Sequence, residues 1–216
     1  MGNRTRKLLT VGVIAAMTLS MAACTSGNDT SSSSGSAEKK ETKAGSGKIG
    51  VAMPTKDLQR WNQDGENMKK ELEAAGYEVD LQFASNDVAT QVSQVENMIS
   101  GGCDVLVIGS IDGESLGTPL KQAEEQGIPV ISYDRLIMNS SAVSYYATFD
   151  NYLVGQKQGE YIVDALDLDN TDGPYNMEIF TGDPGDNNVN FFYGGAMDVL
   201  QPYIDAGKLV VQSGQV

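Results

Sequence analysis

From Lys48 onward, short apolar segments alternate with longer segments in which apolar residues recur every three or four positions. The short segments predict buried strands, and the longer ones predict helices with one apolar face. Strands are predicted at Ile49–Met53, Glu78–Phe83, Val105–Gly109, Pro129–Tyr133, Ser144–Phe149, Met177–Thr181 and Leu209–Gln212. Helices are predicted between them, at about 61–75, 88–99, 116–123, 152–166 and 187–206, with Asp87 as an N-cap. This alternation is the pattern of successive βαβ units and indicates an α/β fold with doubly wound parallel sheets.

The composition excludes several classes of function. The chain carries 15 basic and 29 acidic side chains, a net charge of -14. Such a surface repels phosphate backbones and anionic lipids, so we expect no nucleic-acid partner. The lack of histidine removes His-dependent triads and the usual zinc-enzyme sites, and we expect no metal and no cofactor. Cys103 begins an apolar strand and is predicted to be a buried free thiol.

The first 47 residues have the organisation of a bacterial lipoprotein leader. Three basic side chains precede the apolar segment Leu8–Leu19, which is short for a membrane span. Met21-Ala22-Ala23 then lies directly before Cys24, as in the lipobox of acylated proteins. We therefore predict a signal peptide at 1–23 and a lipidated Cys24 opening a flexible tether at 24–47. The protein would then be anchored by lipid on the extracytoplasmic face of the cell membrane. A plain signal peptide or an anchor helix is the alternative.

In doubly wound sheets, ligands bind where the carboxyl ends of the strands emerge. The segments at those positions are Pro54–Arg60, Ser110–Glu114, Asp134–Asn139, Asp150–Asn151 and Gly182–Asn188. None of them holds a glycine-rich dinucleotide turn or a phosphate-binding loop. This absence favours a binding protein over a nucleotide-dependent enzyme.

The same segments carry a set of side chains suited to a sugar. The set combines one aromatic ring, cations, carboxylates and an amide, and its members are Arg60, Trp61, Asp134, Arg135, Asp186 and Asn188. A sugar stacks its C–H face on an aromatic ring, and its hydroxyls both donate and accept hydrogen bonds. Each member also has a structural interpretation: Trp61 in the core, Asp134-Arg135 as a surface ion pair, and Asp186–Asn188 as a helix cap. No nucleophile and base are paired among them, so capture is favoured over catalysis.

Several short blocks, in order, resemble a known family. They are Arg60-Trp61, Gln94-Val95-Glu96-Asn97-Met98-Ile99, Asp104–Ile108, Tyr133-Asp134-Arg135, Phe149-Asp150-Asn151, Asp186-Asn187-Asn188 and Leu200-Gln201-Pro202-Tyr203. From Lys48 to Gln215 the chain resembles the periplasmic monosaccharide-binding proteins of bacterial ABC transporters, especially the multiple sugar-binding and xylose-binding group.

The resemblance implies a type I periplasmic binding protein fold, in which two αβ lobes close over one sugar. The first lobe would be residues 48–149, and residues 150–216 would begin the second. Phe149, Asp150 and Asn151 would form a hinge, and the six side chains above would contact an aldopyranose such as xylose, glucose, galactose or arabinose. The partner would be an ABC permease. Family members continue well beyond the position of Val216, so we expect a fragment or the product of a truncated gene, with the second lobe incomplete.

Two other functions remain open at this point. A sugar-sensing receptor subunit for a chemoreceptor or a sensor kinase would use the same closing lobes. An extracytoplasmic glycoside-processing enzyme would need paired carboxylates, and Asp134 with Asp186 is the available pair. A gene regulator of this fold would carry a basic DNA-binding head, where this chain has a lipoprotein leader.

Overall fold

The computed structural model describes residues 45–214 of the chain. The predicted signal peptide, Cys24 and almost all of the predicted tether lie outside the described residues. The strands are β1 Lys48–Met53, β2 Glu78–Phe83, β3 Val105–Ile108, β4 Val130–Tyr133, β5 Val143–Ala147, β6 Tyr175–Met177 and β7 Leu209–Val211. The helices are α1 Gln59–Ala74, α2 Val88–Ser100, α3 Gly117–Glu125, α4 Asn151–Leu166 and α5 Asn188–Asp205. Within residues 45–214, no helix is both long and apolar enough to cross a membrane.

Five strands form one parallel sheet in the order β2-β1-β3-β4-β5. β1 lies inside this sheet, where Val51 is opposite Leu81 of β2 and Val107 of β3. We name this sheet and helices α1–α3 the first lobe. The α/β architecture and parallel sheet predicted from the alternation of segments are confirmed.

Helices cover both faces of the five-stranded sheet. On one face, Ile49, Val51 and Met53 of β1 pack with Trp61 of α1. On the other face, the core is made of side chains from β1, β3, α2 and α3, among them Ala52, Leu106, Val95 and Leu120. β1 and β3 are apolar at consecutive positions because neither of their faces meets water. Cys103 belongs to the core on this second face and is a buried free thiol, as predicted. Burial raises the pKa of this thiol.

Helices α4 and α5 pack against the two-stranded parallel sheet of β6 and β7, and we name these four elements the second lobe. Its buried core consists of Val163, Leu168, Leu200 and Leu209. The helices approach closely through glycines: a Cβ added at Gly195 would lie 2.1 Å from the carbonyl oxygen of Tyr152. The predicted boundary at residues 149 and 150 falls in the connection between β5 and α4.

One strand differs from its prediction in position. The sequence predicts a strand at Met177–Thr181, but β6 is Tyr175–Met177. The position of β6 is set by its pairing with β7, in which Leu209 is opposite Tyr175 and Val211 is opposite Met177. The last hydrogen bond of this pair is donated by Gln212 N to Met177 O. Phe180 has no strand beside it among the described residues and is 91% exposed.

Candidate functional site

The carboxyl ends of the first-lobe strands meet the amino-terminal ends of α4 and α5 at a cavity of about 470 Å³. All six predicted sugar-binding side chains line this cavity, together with Leu58, Phe149, Asn151, Val154 and Phe192. Its polar groups and its size fit a small-molecule site. Across residues 45–214, no group of three or more acidic or cysteine side chains is arranged to hold a metal ion.

Arg60 and Trp61 reach the cavity from the first turn of α1. The guanidinium of Arg60 donates from Nη2 to Oδ2 of Asp134, and its carbon lies 4.6 Å from the centroid of the Trp61 ring. The hydrogen bond to Asp134 raises the pKa of Arg60. Trp61 is only 3% exposed and belongs to the core cluster of β1, so the core interpretation is confirmed. Trp61 also lines the cavity, and its contact with a sugar remains a prediction.

Asp134 occupies a turn directly after β4. Its φ of 64° is left-handed, a conformation that is uncommon for residues other than glycine but enriched for aspartate and asparagine. Here Asp134 N donates to Ala147 O at 2.8 Å, and the buried Ser132 Oγ donates to the carbonyl of Arg135 at 2.6 Å. The turn therefore holds the side chains of Asp134 and Arg135 beyond the end of the sheet, in the cavity wall.

Arg135 connects the two lobes. Its Nε lies 3.0 Å from Oδ2 of Asp186, and its Nη1 donates to the carbonyl of Ser110 at 3.2 Å. The Nε–H is not aligned for a hydrogen bond with Asp186, so this contact is an ion pair. The loop that carries Ser110 is fixed by the buried side chain of Gln91, which donates to Gly109 O and accepts from Ile111 N, both at 2.9 Å.

Asn188, the first residue of α5, is a junction between the lobes. Its Nδ2 donates to the carbonyl of Asp134 at 3.2 Å, and its Oδ1 accepts from Asn151 Nδ2 at 2.9 Å. Asp134 O also accepts from Thr148 Oγ1 at 2.9 Å. Asn188 is 4% exposed, and both polar atoms of its side chain have protein partners in this structure.

Of the predicted hinge residues, Phe149 and Asp150 lie in the connection between β5 and α4, and Asn151 is the first residue of α4. Phe149 is 71% exposed and borders the cavity, while Asp150 caps α4 by accepting from Leu153 N at 3.0 Å. Asn151 reaches across to Asn188. The backbone bond from Gly113 N to Gly185 O, 3.1 Å long, is a further contact between the lobes, besides those of Arg135 and Asn188. A hinge at these residues remains a prediction.

A second groove, of about 390 Å³, lies within the second lobe between α4, α5 and residues 177–182. It is lined mostly by apolar side chains, such as Ile162, Phe180 and Phe192, and Asp186 is the one predicted site residue in its wall. The cavity between the lobes is the stronger site because the polar groups converge there.

One sequence motif resembles a hydrolase nucleophile turn. Gly113, Ser115 and Gly117 have the G-x-S-x-G spacing, but Ser115 Oγ donates to the carbonyl of Asp112 and the chain has no histidine to act as a base. The carboxylates of Asp134 and Asp186 are engaged by Arg60 and Arg135 respectively. Nothing in this arrangement points to catalysis.

Sequence reasoning assigned no role in the site to three residues that shape it: Asp64, Gln91 and Tyr133. Asp64 follows Arg60 by four residues on α1, a spacing that places two side chains on one helix face, so a signal for it was present. Gln91 and Tyr133 carried no comparable signal, because their partners lie in distant segments.

The chain thus combines two parallel sheets with a polar cavity between them. A sequence profile described as the periplasmic binding protein domain matches residues 49–215, and the chain belongs to that family. The type I periplasmic binding protein fold predicted from the sequence is confirmed.

Two proteins with similar sequences have names that describe sugar binding. The chain is 56% identical to the multiple sugar-binding periplasmic protein SbpA of Azospirillum brasilense, over 78% of this chain and 47% of that protein. It is 57% identical to the multiple sugar-binding periplasmic receptor ChvE of Rhizobium radiobacter, over 80% of this chain and 49% of that protein. The chain thus spans about half the length of the curated relatives it matches.

A solved structure is also similar. It is an ABC transporter solute-binding protein from Clostridium phytofermentans with bound β-D-glucose. The sequence identity is 74% and the TM-score is 0.77, and the match covers 78% of this chain and 52% of that one.

Proposed function

We propose that this protein captures a monosaccharide outside the cytoplasmic membrane and delivers it to an ABC importer. The observation that carries the proposal is that Arg60, Trp61, Asp134, Arg135, Asp186 and Asn188, chosen from sequence for sugar chemistry, line one cavity. The relatives support it, since two are named for binding sugars and the similar solved structure contains β-D-glucose.

The chemistry of the cavity suits an aldopyranose such as glucose, xylose, galactose or arabinose. Carboxylate oxygens of Asp134 and Asp186 accept from sugar hydroxyls, while the guanidinium groups of Arg60 and Arg135 donate to them. Each charged group already faces an opposite charge, so a neutral ligand leaves no buried charge unpaired. The apolar rim of Leu58, Phe149 and Phe192 provides surface for the C–H faces of the ring.

We further propose that the signal peptide at 1–23 is removed and that Cys24 is acylated, which anchors the protein on the outer face of the membrane. A double or triple acyl anchor is stable because each buried methylene contributes about 0.8 kcal/mol. Cys24→Ser should release the protein from the membrane fraction. Retention of that variant at the membrane would contradict the proposal.

Sugar sensing is the second candidate function, because one relative is named a receptor. Sensing and import share the capture step, so ligand binding alone does not separate them. Deletion of the gene for this protein does: loss of sugar uptake without loss of chemotaxis or kinase signalling would assign the protein to import.

Titration of the full-length protein with D-glucose, D-xylose, D-galactose and L-arabinose tests the capture step. We expect at least one of them to bind with a dissociation constant in the micromolar range, about 8 kcal/mol. Trp61 is the single tryptophan and lies in the cavity wall, so its emission should report binding. A calorimetric titration without heat for any monosaccharide, while another class of small solute binds, would overturn the proposal.

A further inference from the structure

We propose that Asp64 is the positioning residue for Arg60: it holds the guanidinium between two carboxylates and over Trp61, so that the remaining N–H groups face the ligand cavity. The inference rests on the proposed function and deepens it. Asp64 does not line the cavity between the lobes, so its role is exerted through Arg60.

The geometry places Arg60 between two acids. Nε of Arg60 lies 3.3 Å from Oδ2 of Asp64, four residues along α1, while Nη2 donates to Asp134, which directly follows β4. One carboxylate therefore belongs to the same helix as Arg60, and the other belongs to the turn after β4. Together they fix both the position and the plane of the guanidinium.

Burial makes the pairing with Asp64 necessary. Oδ2 of Asp64 is shielded from solvent and makes no hydrogen bond, so the positive charge of Arg60 is what offsets its desolvation. Arg60 is about half exposed, with a side-chain exposure of 49%. Without Asp64, a long and half-exposed side chain would regain several rotamers that aim away from Asp134.

A third group completes the arrangement. Tyr133, the last residue of β4, lies with Arg60 and Asp64 around a side cavity of about 310 Å³ that also borders Thr148 and Phe149. Burial and then the neighbouring carboxylate of Asp64 raise the pKa of Tyr133. Asp64 thus lies between Arg60 on its own helix and Tyr133 of the sheet.

The position of the Arg60 guanidinium determines which of its N–H groups can donate to a sugar. Arg carries five N–H donors in a rigid fork. Nη2 gives one N–H to Asp134 and the contact with Asp64 is an ion pair without a hydrogen bond, so the two N–H groups of Nη1 are among those available to a sugar hydroxyl. Loss of Asp64 should therefore weaken sugar binding and should also move the guanidinium relative to the Trp61 ring.

The experiment is a double-mutant cycle of Asp64→Asn and Arg60→Gln in the full-length protein, read by D-glucose titration and by Trp61 emission without ligand. We expect Asp64→Asn to weaken glucose binding about fivefold in the wild-type background and to have no further effect in the Arg60→Gln background. Because a cation above an indole ring alters its emission, Asp64→Asn should also shift the emission of the unliganded protein, again only when Arg60 is present.

The matched control is Glu66→Gln, which removes the same charge from an exposed position two residues further along α1. It should leave both readouts unchanged. Equal losses from Asp64→Asn in both Arg60 backgrounds would overturn the inference, since Asp64 would then act independently of Arg60. If wild-type protein ignores every monosaccharide, the proposed function fails, and the emission cycle alone still decides whether Asp64 positions Arg60.

Discussion

The two lobes differ in how their apolar surface is covered. In the first lobe, helices lie on both faces of a five-stranded sheet, and Leu106, Ile108 and Val51 are fully buried. In the described part of the second lobe, two strands pack against α4 and α5, and large apolar side chains such as Tyr161 and Phe180 stay exposed at 74% and 91%. The first lobe has the larger share of the hydrophobic stabilisation.

This difference coincides with the division of the site. Arg60, Trp61, Asp134 and Arg135 come from the first lobe, while Asp186 and Asn188 come from the start of α5. Most of the polar groups are thus fixed on the better-packed lobe, and the second lobe completes the set.

The largest expected effect comes from the same substitution made in each core. Leu106→Ala in β3 should cost about 3 kcal/mol of unfolding free energy, because the cavity it leaves is closed on all sides. Leu209→Ala in β7 should shift the same transition by less than about 1 kcal/mol when unfolding is followed by Trp61 emission. Trp61 lies in the core of the first lobe, so chemical denaturation followed by its emission reports the unfolding of that lobe and distinguishes the effects of the two substitutions. Equal shifts would mean that the lobes unfold as one unit.

A slightly smaller effect is expected at the contact between α4 and α5. Gly195→Ala places a Cβ 2.1 Å from Tyr152 O and forces the helices apart, at about 2 to 3 kcal/mol. Hydrogen exchange should show lost protection in α4 and α5, with β1 and β3 unchanged. Gly117→Ala is the control, because a Cβ there has nothing within 4 Å and should change stability by less than about 0.5 kcal/mol.

Local signals predicted much of the fold. The apolar segment at Ile49–Met53 became β1 with one residue added, and Asp87 caps α2 by accepting from Thr90 N at 2.7 Å. Both depend on residues next to each other in the chain. The position of β6 could not be predicted in this way, since it depends on pairing with β7, more than 30 residues away.

The site shows the same division. The residue types at the strand ends were sufficient to choose six side chains that line one cavity. The partners of those side chains were not predictable, because Arg60 meets Asp134 across 74 positions of sequence and Asn188 meets Asp134 O across 54. The left-handed turn at Asp134 was not predicted either: aspartate is enriched in this conformation but adopts it at few positions, so residue type alone does not locate the turn.

Arg135 tests whether the two lobes act together on the ligand. Arg135→Ala should weaken sugar binding by about 2 kcal/mol, because Asp186 then loses its partner in the other lobe. Arg135→Lys should recover part of this, since an ammonium restores the charge but not the contact with the carbonyl of Ser110. Calorimetric titration measures both. Full recovery by lysine would show that charge alone matters at this position.

The smallest expected effect concerns the helix caps, of which each lobe has one built from aspartate: Asp87 at α2 and Asp150 at α4. Hydrogen bonds with Thr90 lower the pKa of Asp87, so the ionised form is favoured in the folded state. The stabilisation of the folded state by ionised Asp87 is therefore fully present above the ordinary pKa of an aspartate, and it is lost as pH falls through the lowered pKa of Asp87 in the folded state. Asp87→Ser keeps a cap that does not titrate. We expect the melting temperature of the wild type to be slightly higher than that of Asp87→Ser at pH 7, and the difference to disappear near pH 2. A difference that persists in acid would mean that the charge of Asp87 contributes nothing to the cap.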